Sequence, residues 1–131
     1  QAEDGIRDNL PGLEFRRFLF RSEEFLAGAE RWAAVIGAGL PARGGRGGYA
    51  EYYGRCMHFL LGLADATGRA EHRALAGRVA GEALAALFAH GMFRGHPGED
   101  RYDAVDGVGF LLLALVRLAT GREPDMMGMG W

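Results

Sequence analysis

The sequence contains no lysine, one cysteine and very few hydroxyl side chains, and each shortage excludes a class of chemistry. All fifteen basic residues are arginines, so Schiff-base chemistry and catalysis by a lysine base are excluded. Cys56 alone cannot form a disulfide framework or a cysteine-rich zinc site within the chain. Ser22, the one serine, lies inside a helical pattern, which argues against a Ser–His–Asp nucleophile. The chemistry of this chain must therefore come from Asp, Glu, His, Tyr or Arg.

An excess of charge of one sign is also lacking. The chain has 131 residues and a formal net charge of −2, which excludes a strongly basic surface for nucleic acid. Its most apolar stretch, 104–119, is too short to cross a bilayer and is interrupted by Asp106 and Arg117. The four histidines fall on different predicted elements, so we predict no metal and no cofactor. We expect neither nucleic acid nor a membrane as a partner.

Apolar residues recur at intervals of three and four along most of the chain, which is typical of amphipathic helices. The predicted helices cover about 12–37, 49–67, 71–91 and 102–120. The second and the fourth end at a Thr-Gly pair, with glycine in the usual position after a helix. No segment alternates with period two for long enough to indicate a sheet. We therefore predict a single all-α unit over residues 1–131.

An internal repeat relates the two halves of the chain. A shift of 53 residues aligns 48–69 with 101–122, and seven of the 22 positions are identical. The same shift places the first predicted helix on the third, which gives two helical hairpins with alternating amphipathic and buried helices. This order favours an α/α toroid-like array, and a four-helix bundle is the alternative. Because two hairpins cannot close a ring, we expect the chain to be part or a subunit of a larger toroid.

Acidic residues mark the predicted start of the fourth helix. Asp103 and Asp106 lie three residues apart and share one helix face. One interpretation is a structural role at the helix N-terminus, where the helix dipole favours acids. The other is a carboxylate at the mouth of a funnel of inner helices, available as a general acid, a base or a sugar hydrogen-bond partner.

Tyrosines and a charged pair mark the matching start of the second helix. The residues concerned are Tyr49, Glu51, Tyr52 and Arg55. Tyrosines at helical spacing pack against a core with their hydroxyls at the surface. Alternatively, this group forms an aromatic and acidic rim that stacks on carbohydrate and binds it by hydrogen bonds.

Three motifs resemble the inner-helix starts of α/α-toroid carbohydrate-active proteins, which include six-hairpin glycoside hydrolases and polysaccharide lyases. The motifs are Gly48-Tyr49-x-Glu51-Tyr52-Tyr53-Gly54-Arg55, Phe93-Arg94-Gly95-His96-Pro97 and Tyr102-Asp103-Ala104-Val105-Asp106-Gly107-Val108-Gly109. The resemblance covers 48–122 and implies a cleft at one mouth of a barrel, in which hydrolases use Asp or Glu and lyases use Tyr, His and Arg around a uronic acid. The candidate catalytic residues that it implies are Asp106, Asp103, Tyr102 and His96. The candidate substrate contacts are Tyr49, Glu51, Tyr52, Arg55 and Arg94.

Two hypotheses about function follow from the sequence. In the first, the chain is a carbohydrate-active toroid segment or subunit that acts on or binds an oligosaccharide or polysaccharide. Such a protein would be secreted or periplasmic. In the second, it is a non-catalytic helical subunit or scaffold, whose apolar inner helix faces and methionine-rich segment 126–131 dock onto another protein chain or onto copies of itself.

Overall fold

The computed structural model describes residues 22–42, 46–102 and 106–124. Within these ranges the chain forms four helices and one short β-hairpin. The elements are α1 (Glu23–Ala42), α2 (Ala50–Thr67), α3 (Ala70–Leu87), β1 (Phe88–Ala89), β2 (Met92–Phe93) and α4 (Val108–Thr120). The predicted all-α class is confirmed. None of the helices in the described ranges is both long and apolar enough to span a membrane.

Helix α2 lies at the centre of the described residues. Five of its large side chains are fully buried, namely Tyr53, Met57, Leu60, Leu61 and Leu63. Helix α3 packs along one side of α2 and α4 along another, while α1 packs on α3 and more lightly on α2. The alternation predicts that the second and the fourth helix are both buried, and α2 is, but α4 leaves part of its apolar surface exposed. The core therefore forms around α2.

Helices α2 and α4 run parallel and are in contact at both ends. Near their starts, Gly54 lies against the backbone of Leu111, so close that an added Cβ would be 2.7 Å from its nitrogen. Near their ends, the Arg117 Nη2 donates to Asp65 Oδ2 at 2.7 Å. The Arg117 side chain is buried. Its Nη1 makes a second, longer contact of 3.6 Å with Glu123 Oε1. Loss of the carboxylate would leave the buried guanidinium without its closest partner, which is costly, so the pair fixes the two helix ends together.

Helices α1 and α3 also run parallel. Glu30 pairs with His72 near the start of α3, and Gly37 faces Leu75 one turn further along. In a simple up-down bundle each helix packs mainly on its sequence neighbours. Here α2 packs as extensively on α4 as on α3, and α1 contacts α3 as well as α2.

The Thr-Gly pairs that end α2 and α4 adopt the same geometry. The hydroxyl groups of Thr67 and Thr120 each donate to the carbonyl four residues earlier, at 2.7 and 2.8 Å. Gly68 and Gly121 both have φ of 70°, a left-handed conformation that favours glycine. The predicted ends at 67 and 120 are confirmed.

The predicted bounds of the first helix are wrong at the end that the structure describes. Helix α1 begins at Glu23, after a bend at Ser22, and residues 12–21 lie outside the described ranges. It does not stop at Gly37 but continues to Ala42. A glycine inside a helix costs about 1 kcal/mol, and burial of Ile36 against the core offsets this cost.

The third predicted helix extends too far, since α3 ends at Leu87 and not at 91. A two-residue turn at His90 and Gly91 follows, with φ of 54° and 81°. It connects β1 and β2, in which Phe88 pairs with Phe93 and Ala89 with Met92. Two positive φ values in a two-residue turn match the right-handed twist of the paired strands.

The fourth predicted helix starts too early. Helix α4 begins at Val108 and not at 102, and it follows Gly107, whose φ is 80°. Residues 103–105 lie outside the described ranges. The left-handed backbone at Gly107 interrupts the helical path, which explains why the helix cannot include Asp106 in its first regular turn.

Candidate functional site

The loop that follows the β-hairpin is anchored on the start of α2. The backbone N–H of Ala50 donates to the Gly95 carbonyl at 2.9 Å, and the N–H of Gly95 donates to the Arg101 carbonyl at 2.8 Å. The first bond satisfies one of the backbone donors that a helix start leaves free. The loop residues 94–101 are thereby held beside the N-terminal turn of α2.

A pair of aromatic rings, those of the exposed Tyr49 and the partly buried His96, lies at this junction. The rings of Tyr49 and His96 are 4.5 Å apart between centroids and tilted by 53°, and Tyr49 is 53% exposed. The Nδ1 atom of His96 accepts a hydrogen bond from the Gly98 N–H at 3.1 Å. Nδ1 is the acceptor in this contact, which leaves Nε2 as the ring nitrogen that can meet a ligand.

A charged pair lies on the next turn of α2. The Arg55 guanidinium binds Glu51 through Nε at 2.9 Å and Nη2 at 2.7 Å. The same guanidinium stands 5.7 Å above the ring centroid of Phe110 on α4. The pair is exposed to solvent, and each charge already has a partner of opposite sign.

Asp106 lies beneath the loop. Its Oδ2 atom is buried and has no hydrogen-bond partner among the described residues. An added Cβ on Gly95 would lie 2.6 Å from this oxygen, so only glycine fits there. The next residue, Gly107, packs against the backbone of Glu51 in the same manner. These two glycines allow α4, the loop and α2 to meet closely.

The remaining predicted residues lie around this junction or outside the described ranges. Arg94 turns towards α3, where its Nη2 donates to the Ala86 carbonyl at 3.2 Å. Tyr52 is exposed and its ring meets that of Tyr53 edge-to-face at 5.8 Å. Tyr102 is half-buried, and Asp103 lies outside the described residues.

Of the predicted set, Tyr49, Glu51, Arg55, His96 and Asp106 therefore gather where the starts of α2 and α4 meet the loop. We call four of them, Tyr49, Glu51, Arg55 and His96, the rim; Tyr49 and Arg55 are exposed, and Glu51 and His96 are partly exposed. No group of three or more potential metal ligands occurs among the residues that the structure describes. The rim can stack on a flat ligand and donate or accept hydrogen bonds at its edge.

Sequence reasoning missed the apolar surface of α1. Phe25, Trp32 and Val35 are 58%, 65% and 59% exposed, and with Gly28 they form one stripe along the helix, which we call the α1 face. The sequence contains a signal for this face, because the apolar residues of α1 form two adjacent stripes, and the structure buries the other one. A helix on the surface of a protein needs only one apolar stripe to pack on the core, so a second stripe indicates a further contact.

A smaller apolar surface lies on α4, where Leu112 and Val116 are exposed one turn apart. We call this pair the α4 face. A cleft of about 300 Å³ lies between α1 and α2, and it is almost entirely apolar. Its lining residues are Trp32, Ile36, Arg55, Cys56 and Phe59.

Comparison with known proteins does not assign this chain to a family. No family, no curated protein and no solved structure matches it.

Proposed function

We propose that the protein is a non-catalytic helical subunit that assembles with another helical protein chain through apolar helix faces. The observation that carries this proposal is the α1 face, where two aromatic side chains and a valine project into solvent along one stripe. Contiguous apolar surface of this kind marks interaction sites in soluble proteins. A few residues carry most of the binding energy of such interfaces, and tryptophan is enriched among them.

The packing of the four helices supports the same proposal. Helices α1 and α4 each cover only part of their apolar surface within the described residues, whereas α2 is covered on several sides. A helix that is apolar beyond its core-facing side needs a further layer. In a toroid-like array, additional helices of another chain would provide that layer.

Charge substitutions on the two faces test the proposal. Trp32→Glu and Val116→Glu are expected to reduce the native mass of the assembly, because a carboxylate would have to be desolvated at the interface. Ala74→Glu introduces the same charge at an exposed position of α3 and serves as the control. An assembly whose mass is unchanged by both face variants would contradict the proposal.

A second candidate function is carbohydrate binding at the rim. The contact of the exposed Tyr49 with His96, beside the Glu51–Arg55 pair, favours it, since sugars stack on aromatic rings and bind charged side chains by hydrogen bonds. In this proposal Asp106, whose buried Oδ2 lies close to Gly95, packs against the loop that carries His96. The toroid resemblance of residues 48–122 supports the choice of ligand class.

Calorimetric titration tests the second candidate with a uronic-acid oligomer and a neutral glucose oligomer of equal length. Tyr49→Ala is expected to weaken binding about two- to tenfold, because one aromatic contact contributes about 0.5–1.5 kcal/mol beyond its buried area. Phe25→Ala removes an equally exposed aromatic from α1 and should leave binding unchanged. Absence of binding to both oligomers would exclude carbohydrate as the ligand class of the rim.

A further inference from the structure

We propose that the α1 face is covered by the α1 face of a second copy of this chain, in an antiparallel pair with twofold symmetry. This inference rests on the proposed function, because it names the partner of one of the two faces. Four observations support it: the spacing of the face, the shape of its surface, its exposed area and the charge at its end.

The spacing of the α1 face is the same in both directions. Its members stand at positions 25, 28, 32 and 35, with intervals of three, four and three. If a second copy runs antiparallel about a twofold axis level with position 30, Phe25 meets Val35 and Gly28 meets Trp32, in both directions. A twofold interface requires this reciprocity, in which residue i contacts j and j contacts i.

The shapes of the paired positions are complementary. Trp32 is the most exposed large apolar side chain among the described residues. Gly28, one turn away, has no side chain, and an added Cβ would meet only the end of the Arg31 side chain at 3.9 Å. Gly28, Arg31, Trp32 and Val35 line an open depression of about 260 Å³. The indole of one copy can therefore enter the depression of the other.

The exposed area is sufficient for the centre of a dimer interface. Aromatic side chains each bury about 150–250 Å², and Phe25 and Trp32 are both more than half exposed. Two copies would withdraw on the order of 500 Å² of aromatic surface, about a third of a standard interface. Val35 and the apolar cleft between α1 and α2 extend this surface on either side.

The charge at the start of α1 favours the antiparallel arrangement. Glu23 and Glu24 form the first turn of the helix. In an antiparallel pair the acidic turns of the two copies lie about 20 Å apart along the axis, given a rise of 1.5 Å per residue. In a parallel pair four carboxylates would lie side by side, which is unfavourable.

Native mass measured by light scattering tests the dimer and its shape complementarity. In the absence of any other chain, the unmodified protein is expected at about twice its 14.2 kDa, and Trp32→Glu at the monomer mass. Leu84→Glu, at an exposed apolar position of α3, is the matched control and should remain dimeric.

Gly28→Leu is expected to dissociate the dimer by filling the depression, although it adds apolar surface. A dimer strengthened by Gly28→Leu would overturn the proposal, and helical content by circular dichroism verifies that each variant folds.

Cysteine cross-linking tests the orientation, in a chain where Cys56 is replaced by alanine. Phe25→Cys mixed with Val35→Cys should form a disulfide-linked pair on oxidation, since the two positions face each other across the interface. Each variant alone should remain unlinked. Links between identical positions would indicate a parallel pair and overturn the proposal.

The outcomes separate this inference from the function on which it rests. A stoichiometric complex with a different chain, or a homo-oligomer unaffected by Trp32→Glu but dissociated by Val116→Glu, retains the proposed function and overturns the α1 pairing. A monomer at all concentrations, with no second chain, overturns both.

Discussion

Glu30 is the residue that joins α1 to the start of α3. Its Oε1 lies 3.0 Å from the Nε2 of His72 and accepts a hydrogen bond from the Arg69 Nη1 at 2.7 Å. The side chain of His72 is only 5% exposed, whereas that of Arg69 is half exposed. A buried polar group that loses its partner retains the full cost of its desolvation.

Replacement of Glu30 is therefore expected to destabilise the fold. Glu30→Ala should lower the free energy of unfolding by about 1–3 kcal/mol, measured by urea denaturation, because His72 remains buried without this partner. Glu71→Ala removes an exposed carboxylate that binds the same Arg69, and should cost less than about 1 kcal/mol. Equal effects of the two variants would show that His72 does not depend on Glu30.

The sequence predicts only part of the arrangement of the rim. Spacing alone puts Tyr49, Glu51 and Arg55 near the start of α2, because they lie within two helical turns. It does not bring His96 to them, since that contact depends on the backbone bond between Ala50 and Gly95. Nor does it predict that Arg94 turns towards α3.

At the scale of elements, helix ends were predictable where their cause is local. The Thr-Gly pairs that end α2 and α4 carry their own hydrogen bonds and left-handed glycine. The end of α3 was missed because its turn uses His90, and histidine is a weaker turn signal than asparagine or aspartate. The prediction that the first helix ends at Gly37 is wrong because the packing of α1 overrides the low helix propensity of glycine.

Alanine substitutions at the two glycines of α2 compare the effect of helix packing with that of helix propensity. Gly54→Ala is expected to lower the free energy of unfolding by about 1–2 kcal/mol, because its Cβ would meet the α4 backbone at 2.7 Å and outweigh the gain in helix propensity. Gly62→Ala, with open space around it, should raise stability by about 0.5–1 kcal/mol. Thermal denaturation of both variants measures the difference. Stabilisation by Gly54→Ala would contradict the close contact of α2 and α4.

At the scale of the whole molecule, the described residues form a core around α2 and leave apolar faces on α1 and α4. The repeat relates α2 to α4, and its matched glycines, Gly54 and Gly107, both lie at the contact between these helices. The sequence predicted the helices and their repeat. It could not predict which faces remain uncovered, because burial depends on how the helices pack together.

The native mass of the purified chain, measured together with the intact mass of every chain present, tests the central claim most directly. A subunit that docks through apolar helix faces is expected in an assembly larger than 14.2 kDa, as a homo-oligomer or as a stoichiometric complex. A single species of 14.2 kDa over the full range of accessible concentrations would contradict this account.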